Sequence, residues 1–175
     1  MALERTQFIE DLKKSYEIYY DLYPNEASTE LPLEFRADFH SVGESFFLVK
    51  RAKVWTSETN EYVYVFSSPV FDAELVGKCV DYALEDGLAR VTPHKDHHYS
   101  NIITVFIADE ISPDIRKVIC KRRFSKSYRM SLYGFSLLKT GYIDLSTGEY
   151  GTNPEGHDLN QFFKKLFPKK QFLKK

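Results

Sequence analysis

A chain of 175 residues with 43% hydrophobic and 15% aromatic side chains has the material for one packed domain and is short for two. Two cysteines exclude a disulfide framework and a four-cysteine zinc site, and no run of about eighteen apolar residues is present to span a bilayer. The formal net charge of -1 conceals a division, because residues 1–110 hold 10 Lys+Arg against 20 Asp+Glu while residues 111–175 hold 14 against 5.

The opening stretch "MALERTQFIEDLKK" carries charges throughout and has no apolar h-region, so it is not a secretory signal, and a cytoplasmic protein is expected. Phe8, Leu12, Tyr16, Tyr19 and Tyr23 recur at helical spacing and predict a helix from Thr6, its cap, to Tyr23, with Pro24 as the stop. "NEASTELP" is then a loop. Leu33, Phe35, Ala37 and Phe39 alternate with Glu34, Arg36, Asp38 and His40, the pattern of a strand with one wet face. A turn around Gly43 leads into a second strand, "SFFLVKRAKVW", and "TSETN" leads to a third, "EYVYVF", so residues 33–67 predict an antiparallel meander.

Ser68 and Pro69 open a helix carried by Leu75, Cys79, Tyr82 and Ala83 and closed by Gly87. "HKDHH", residues 94–98, lies in the loop beyond. "NIITVFIA" is a continuous apolar run, short and β-branched, as in a strand buried on both faces. Ser112 and Pro113 make a helix start, with Ile115, Val118 and Ile119 on one face. "FSKSYRMSLY" alternates, and the alternation assigns Tyr128, Met130 and Leu132 to the core side. "GYIDL" is a further strand that turns at Ser146-Thr147-Gly148, "TNPEGHD" is the last loop, and "LNQFFKKLF" is an amphipathic helix. Cys79 and Cys120 fall in helical stretches, as buried free thiols do.

This order of elements predicts a single α/β (α+β) domain over residues 1–168, with a lysine-rich tail at 169–175. The helix between the third strand and the apolar fourth implies a mixed sheet of about five or six strands, covered by helices on both faces in a three-layer sandwich. The order helix, three-strand meander, crossover helix, fourth strand resembles the core of the PD-(D/E)XK nucleases over roughly residues 6–108. That resemblance implies Mg²⁺ held by an acid on the second strand and by an acid-x-Lys triplet on the third. Here "SFFLVKRAKVW" has no internal carboxylate, and Glu61-Tyr62-Val63 lacks the lysine. The likeness is therefore one of topology without the catalytic motif, and fold analogy carries no function.

Four stretches hold candidate chemistry. His94, His97 and His98, with Asp96, are weak zinc candidates, since neighbours in one short loop point apart; they read first as a solvated connector and next as a pH-sensitive contact. Lys121, Arg122, Arg123, Lys126 and Arg129 interleave with Phe124 and Tyr128, and Lys50, Arg51 and Lys53 precede Trp55 on the second strand. On a shared face they would make a polyanion site, a contact to an acidic protein, or a solvated basic surface. The C-terminal "FFKKLFPKKQFLKK" reads as a core-completing helix with a frayed end, or as a basic amphipathic segment for a partner or a membrane surface. Asp109 and Glu110 close the buried strand, where they solubilise or serve a ligand site. No serine elbow, Walker loop or dinucleotide fingerprint occurs. The expectation is a non-catalytic binding or interaction domain without a cofactor, with an acidic partner or a second copy meeting its basic C-terminal third. Nucleic-acid binding on a nuclease-like scaffold is the alternative.

Overall fold

In the computed structural model, residues 4–25, 30–46 and 53–167 are described. Helix α1 (Arg5–Glu17) leads into strands β1 (Asp21–Pro24), β2 (Leu33–Phe46) and β3 (Lys53–Ser68). Helix α2 (Ala73–Ala89), strand β4 (His97–Ala108) and helix α3 (Pro113–Lys121) follow. The chain ends in strands β5 (Ser125–Ser127), β6 (Phe135–Asp144) and β7 (Glu149–Thr152), a short 3-10 turn and helix α4 (His157–Leu166). The strands form one mixed sheet in the order β1-β2-β3-β4-β6-β5, with β7 also pairing β6. β4 runs parallel to both β3 and β6, through crossovers that carry α2 and α3, and the other pairings are antiparallel.

Side-chain alternation divides the core in two. Phe35, Ala37, Val63, Val65, Ile103, Val105, Ile107 and Ile143 pack with α1 and α4 through Phe8, Leu12, Tyr16, Leu159 and Phe163. Tyr64, Phe66, Ile102, Phe106 and Leu138 pack on the other face with Val76, Cys79, Val80 and Ala83 of α2 and Ile119 of α3. Helices on both faces of a mixed sheet make the expected three layers, with seven strands rather than five or six.

Several elements differ in extent from their sequence signals. α1 stops at Glu17, and Asp21–Pro24 becomes an edge strand on β2 instead of helix. Tyr19 and Tyr23 therefore leave the helical stripe, and the N-cap is Glu4 rather than Thr6. The meander has three strands, but not the expected three: β2 and β3 run through Gly43 and through Thr56–Asn60 as one long antiparallel pair, with β1 as the third. Gly43 pairs in register with Ser57, and Thr and Ser positions sustain β3 without a turn.

α2 takes Asp72 as its cap, accepting from Leu75 N at 2.7 Å, and it runs past Gly87 to Ala89. Gly87 is there for close packing, because a Cβ would stand 2.7 Å from Ile102 Cγ1. Ser112 and Pro113 start α3 as read from the sequence. "FSKSYRMSLY" is strand only over Ser125–Ser127, since Arg129, Met130 and Ser131 adopt φ of 48°, 53° and 68° and end the extended chain.

The sheet order also keeps the charge division in space. Strands from the acidic residues 1–110 occupy β1 to β4, and the basic remainder builds the β6, β5 and β7 edge. Among the described residues no ion pair joins the two parts. Arg5–Asp109, Arg36–Asp86 and Arg90–Asp38 lie within the first; Arg116–Asp144, Arg123–Glu155 and Lys139–Asp158 lie within the second.

Candidate functional site

β5 is a three-residue edge strand of Ser125, Lys126 and Ser127, all exposed and in register with Leu137, Ser136 and Phe135. The connection to β6 is short and tightly bonded. Tyr128 N donates to Gly134 O at 3.0 Å, Tyr133 N to Tyr128 O at 3.1 Å, and Leu132 N to Arg129 O at 3.1 Å. Three successive residues with positive φ lift the tip out of the sheet, leaving Met130 91% and Leu132 73% exposed. The alternation that assigns these two to the core breaks at those left-handed residues. Lys126 and Arg129 are exposed next to the tip; Lys121 and Arg123 are exposed at the other end of β5, where Arg123 lies 3.9 Å from Glu155, and Arg122 is half-buried at the end of α3. The two tyrosines turn inward instead. Tyr128 shares a hydrogen bond with Ser136 Oγ at 2.9 Å and meets the His97 ring edge-on, while Arg129 lies 4.8 Å from the Tyr133 ring.

The loop is fastened from below by the histidine-rich stretch. His97, the first residue of β4 and 3% exposed, faces the Tyr133 carbonyl with Nδ1 at 2.7 Å and Ser100 Oγ with Nε2 at 2.9 Å. A carbonyl accepts only, so Nδ1 carries the proton, and in the neutral ring Nε2 accepts from Ser100. Asn60 Nδ2 in turn donates to Ser100 Oγ at 3.3 Å. Gly134, at φ +76°, closes the turn against this ring, where a Cβ would stand 2.7 Å from His97 Nδ1.

The other imidazoles go elsewhere. His94 Nε2 donates to Glu58 Oε2 at 2.7 Å, and His98 Nδ1 pairs with Ser57 Oγ at 3.2 Å. His40 bonds Asn60 Oδ1 and lies 4.0 Å from Glu58. Burial works to raise the Glu58 pKa, but hydrogen bonds from Asn60 and His94 and the nearby His94 and His40 charges outweigh it and hold the carboxyl below its ordinary value. His94, His97 and His98 thus serve three separate contacts, and among the described residues no group of three His, Cys, Asp or Glu is placed to hold a metal ion.

Of the second basic segment only Lys53 lies among the described residues, and its place on the sheet is apart from Lys126. Lys126, Ser136, Ser100 and Asn60 stand in one register row across β5, β6, β4 and β3. Lys53 begins β3 seven residues before Asn60, about 23 Å further along the strand at roughly 3.3 Å per residue. Lys50 and Arg51 lie outside the described residues. Asp109 pairs with Arg5 at 2.6 Å. Phe163 and Phe167 of the C-terminal stretch are buried in the core, and the tail at 169–175 is outside the described residues.

A cleft of about 450 Å³ opens between the end of α1, α4 and the sheet. Its lining includes Tyr16, Tyr19, Tyr20, Phe162, Glu61 and Asp158; the sequence motifs touch Tyr16, Tyr19, Glu61 and Phe162 one at a time but do not bring them together as a site. The one signal for it is "YEIYY", where consecutive tyrosines do not fit a single helical stripe.

Among the described residues no helix is long and apolar enough to cross a membrane. A family model described as Domain of unknown function (DUF8052) matches residues 4–165. No curated protein and no solved structure matches the chain.

Proposed function

This chain belongs to the family described as Domain of unknown function (DUF8052), and we propose that it works as a non-catalytic binding domain whose β5 edge docks an acidic protein surface. The observation that carries this reading is the rigid tip itself. Met130 and Leu132 project from a left-handed turn beside exposed Lys126 and Arg129, and among the described residues no carboxylate pairs with either cation. A preorganised tip loses little conformational entropy on docking, and exposed apolar side chains ringed by one sign of charge fit an oppositely charged, partly apolar surface. A nucleic-acid site would offer its rings for stacking, whereas Tyr128 and Tyr133 are engaged within the loop. Nucleophile-like groups nearby are spent on structure, since Ser100 is fully buried against His97.

Fluorescence anisotropy of a labelled peptide alternating Glu and Leu, at low and high salt, tests the proposal. Binding that weakens with salt, and falls at least about tenfold in the Lys126→Glu/Arg129→Glu double variant, is expected. Indifference to the charge reversal overturns the reading, as does binding of single-stranded DNA or of anionic vesicles in place of the peptide.

A further inference from the structure

We infer that the cleft between α1 and α4 is a binding site for a small organic ammonium ion carrying an apolar body. Its walls are the rings of Tyr16, Tyr19, Tyr20 and Phe162 with Leu159 and Ile103, and its volume of about 450 Å³ is that of a small-ligand pocket. The polar group on the floor is Glu61, on β3. It accepts from the Tyr20 hydroxyl and, at 3.3 Å, from Asn101 Nδ2. Both donors are neutral, and among the described residues no cation pairs with Glu61. Asp158, the other carboxylate of the cleft, is already balanced by Lys139 at 2.7 Å.

One half-buried carboxylate therefore faces an aromatic-walled cavity with its charge uncompensated. Burial first, with the Glu61 and Asp158 charges adding to it, pushes the Tyr16 and Tyr20 phenols well above their ordinary range. Both remain neutral rings whose faces attract a cation. An ammonium group at Glu61 supplies the missing countercharge, and its carbon body replaces water over the rings. Lys165 lines the mouth on a flexible stem that lets its own charge turn to solvent. Tyr19, 74% exposed, and Ile18, 68% exposed, form an apolar rim that such a body would cover. This site is separate from the β5 edge, and neither proposal rests on the other.

The test is an NMR titration of the full chain with benzyltrimethylammonium, with benzoate as the probe of similar body and opposite charge. Benzyltrimethylammonium is expected to shift amides of residues 15–20, 61 and 158–166, and benzoate is not. Glu61→Gln, which keeps an acceptor for Tyr20 and Asn101, is expected to weaken binding at least about tenfold. Tyr19→Ala changes only an exposed side chain, so it keeps the fold, and it is expected to weaken binding several-fold. Equal shifts from benzoate would overturn the inference, as would unchanged affinity in both variants or no shift up to about 10 mM probe.

Discussion

His97 holds Tyr133: the ring Nδ1 lies 2.7 Å from that residue's carbonyl oxygen, and through it the start of β4 fixes the loop that carries Met130 and Leu132. Replacing His97 by Ala takes the donor from the Tyr133 carbonyl and the acceptor from the Ser100 hydroxyl, which keeps only the Asn60 Nδ2 contact, and opens space beneath the turn. Such a loss costs about 1–3 kcal/mol per buried polar group. Urea unfolding should show a fall of that size. Amide exchange should speed up at Tyr133 and Gly134 ahead of the remaining sheet, and uniform change across all strands would show that the ring does not anchor this loop in particular.

Gly134 tests the same fastening from the other side. Its φ of +76° disfavours any L side chain, and a Cβ would collide with the His97 and His98 carbonyl oxygens as well as with the His97 ring. Gly134→Ala is expected to destabilise the domain by more than about 1 kcal/mol. A melting temperature equal to that of the parent chain would contradict the close approach.

Met130→Ser and Leu132→Ser should do the reverse. Both side chains face water, so stability is expected to stay within about 0.5 kcal/mol while affinity for an acidic peptide falls. A large loss of stability would place the two residues in a core after all, where the sequence alternation puts them.

That alternation shows how far the sequence could be read. Period and β-branching identify β4, the buried positions of β2 and β3 and the presence of the four helices, although they do not show that β2 and β3 form one long pair. Burial on a sheet face leaves a regular signature in Phe35, Ala37, Val63, Val65 and their neighbours. Left-handed residues leave none: Arg129, Met130 and Ser131 are ordinary residue types whose φ is imposed by the turn and by His97 beneath it. The link between "HKDHH" and the basic loop is likewise tertiary. It runs between residues 36 apart, and no spacing rule reaches it. The cleft is less legible still, since Tyr20, Glu61 and Phe162 come from three elements, and Tyr20 sits where α1 has already ended.

Burial decides the cysteine chemistry. Cys79, fully buried among the α2-side core, has its thiol pushed up to about 12, and burial also raises Cys120. The thiolate is the reactive form, so iodoacetamide at pH 8 is expected to leave Cys79 unmodified in the native chain and to modify it once denatured. Rapid native labelling at Cys79, read by peptide mass, would refute its burial in that core.

Asp144 gives the domain an acid-sensitive joint. Its side chain is fully buried at the end of β6, with Oδ1 accepting from Ser146 N at 3.0 Å, Ser146 Oγ at 2.7 Å and Thr147 N at 3.2 Å. Oδ2 accepts from Ile111 N at 3.0 Å and Arg116 Nη2 at 2.7 Å, so one carboxylate ties the β6–β7 turn to the entry of α3. Burial alone would raise its pKa, but these donors together outweigh it and hold the group below its ordinary value. A folded pKa below the unfolded one means that the native state binds the proton less readily. The carboxylate therefore contributes stability in full above the unfolded value, near about 3.9. That contribution fades as pH falls from there through the lower folded value. Glu58, lowered by Asn60, His94 and His40, acts in the same direction. Urea midpoints from pH 7 to pH 3 are expected to fall most steeply below about pH 4. Asp144→Asn should cost about 1–3 kcal/mol at pH 7, as leaving a buried donor without its acceptor does, Arg116 keeping Glu149 as its partner, and should flatten that acid limb. An acid limb as steep in Asp144→Asn as in the parent chain would show that this carboxylate is not the group being titrated.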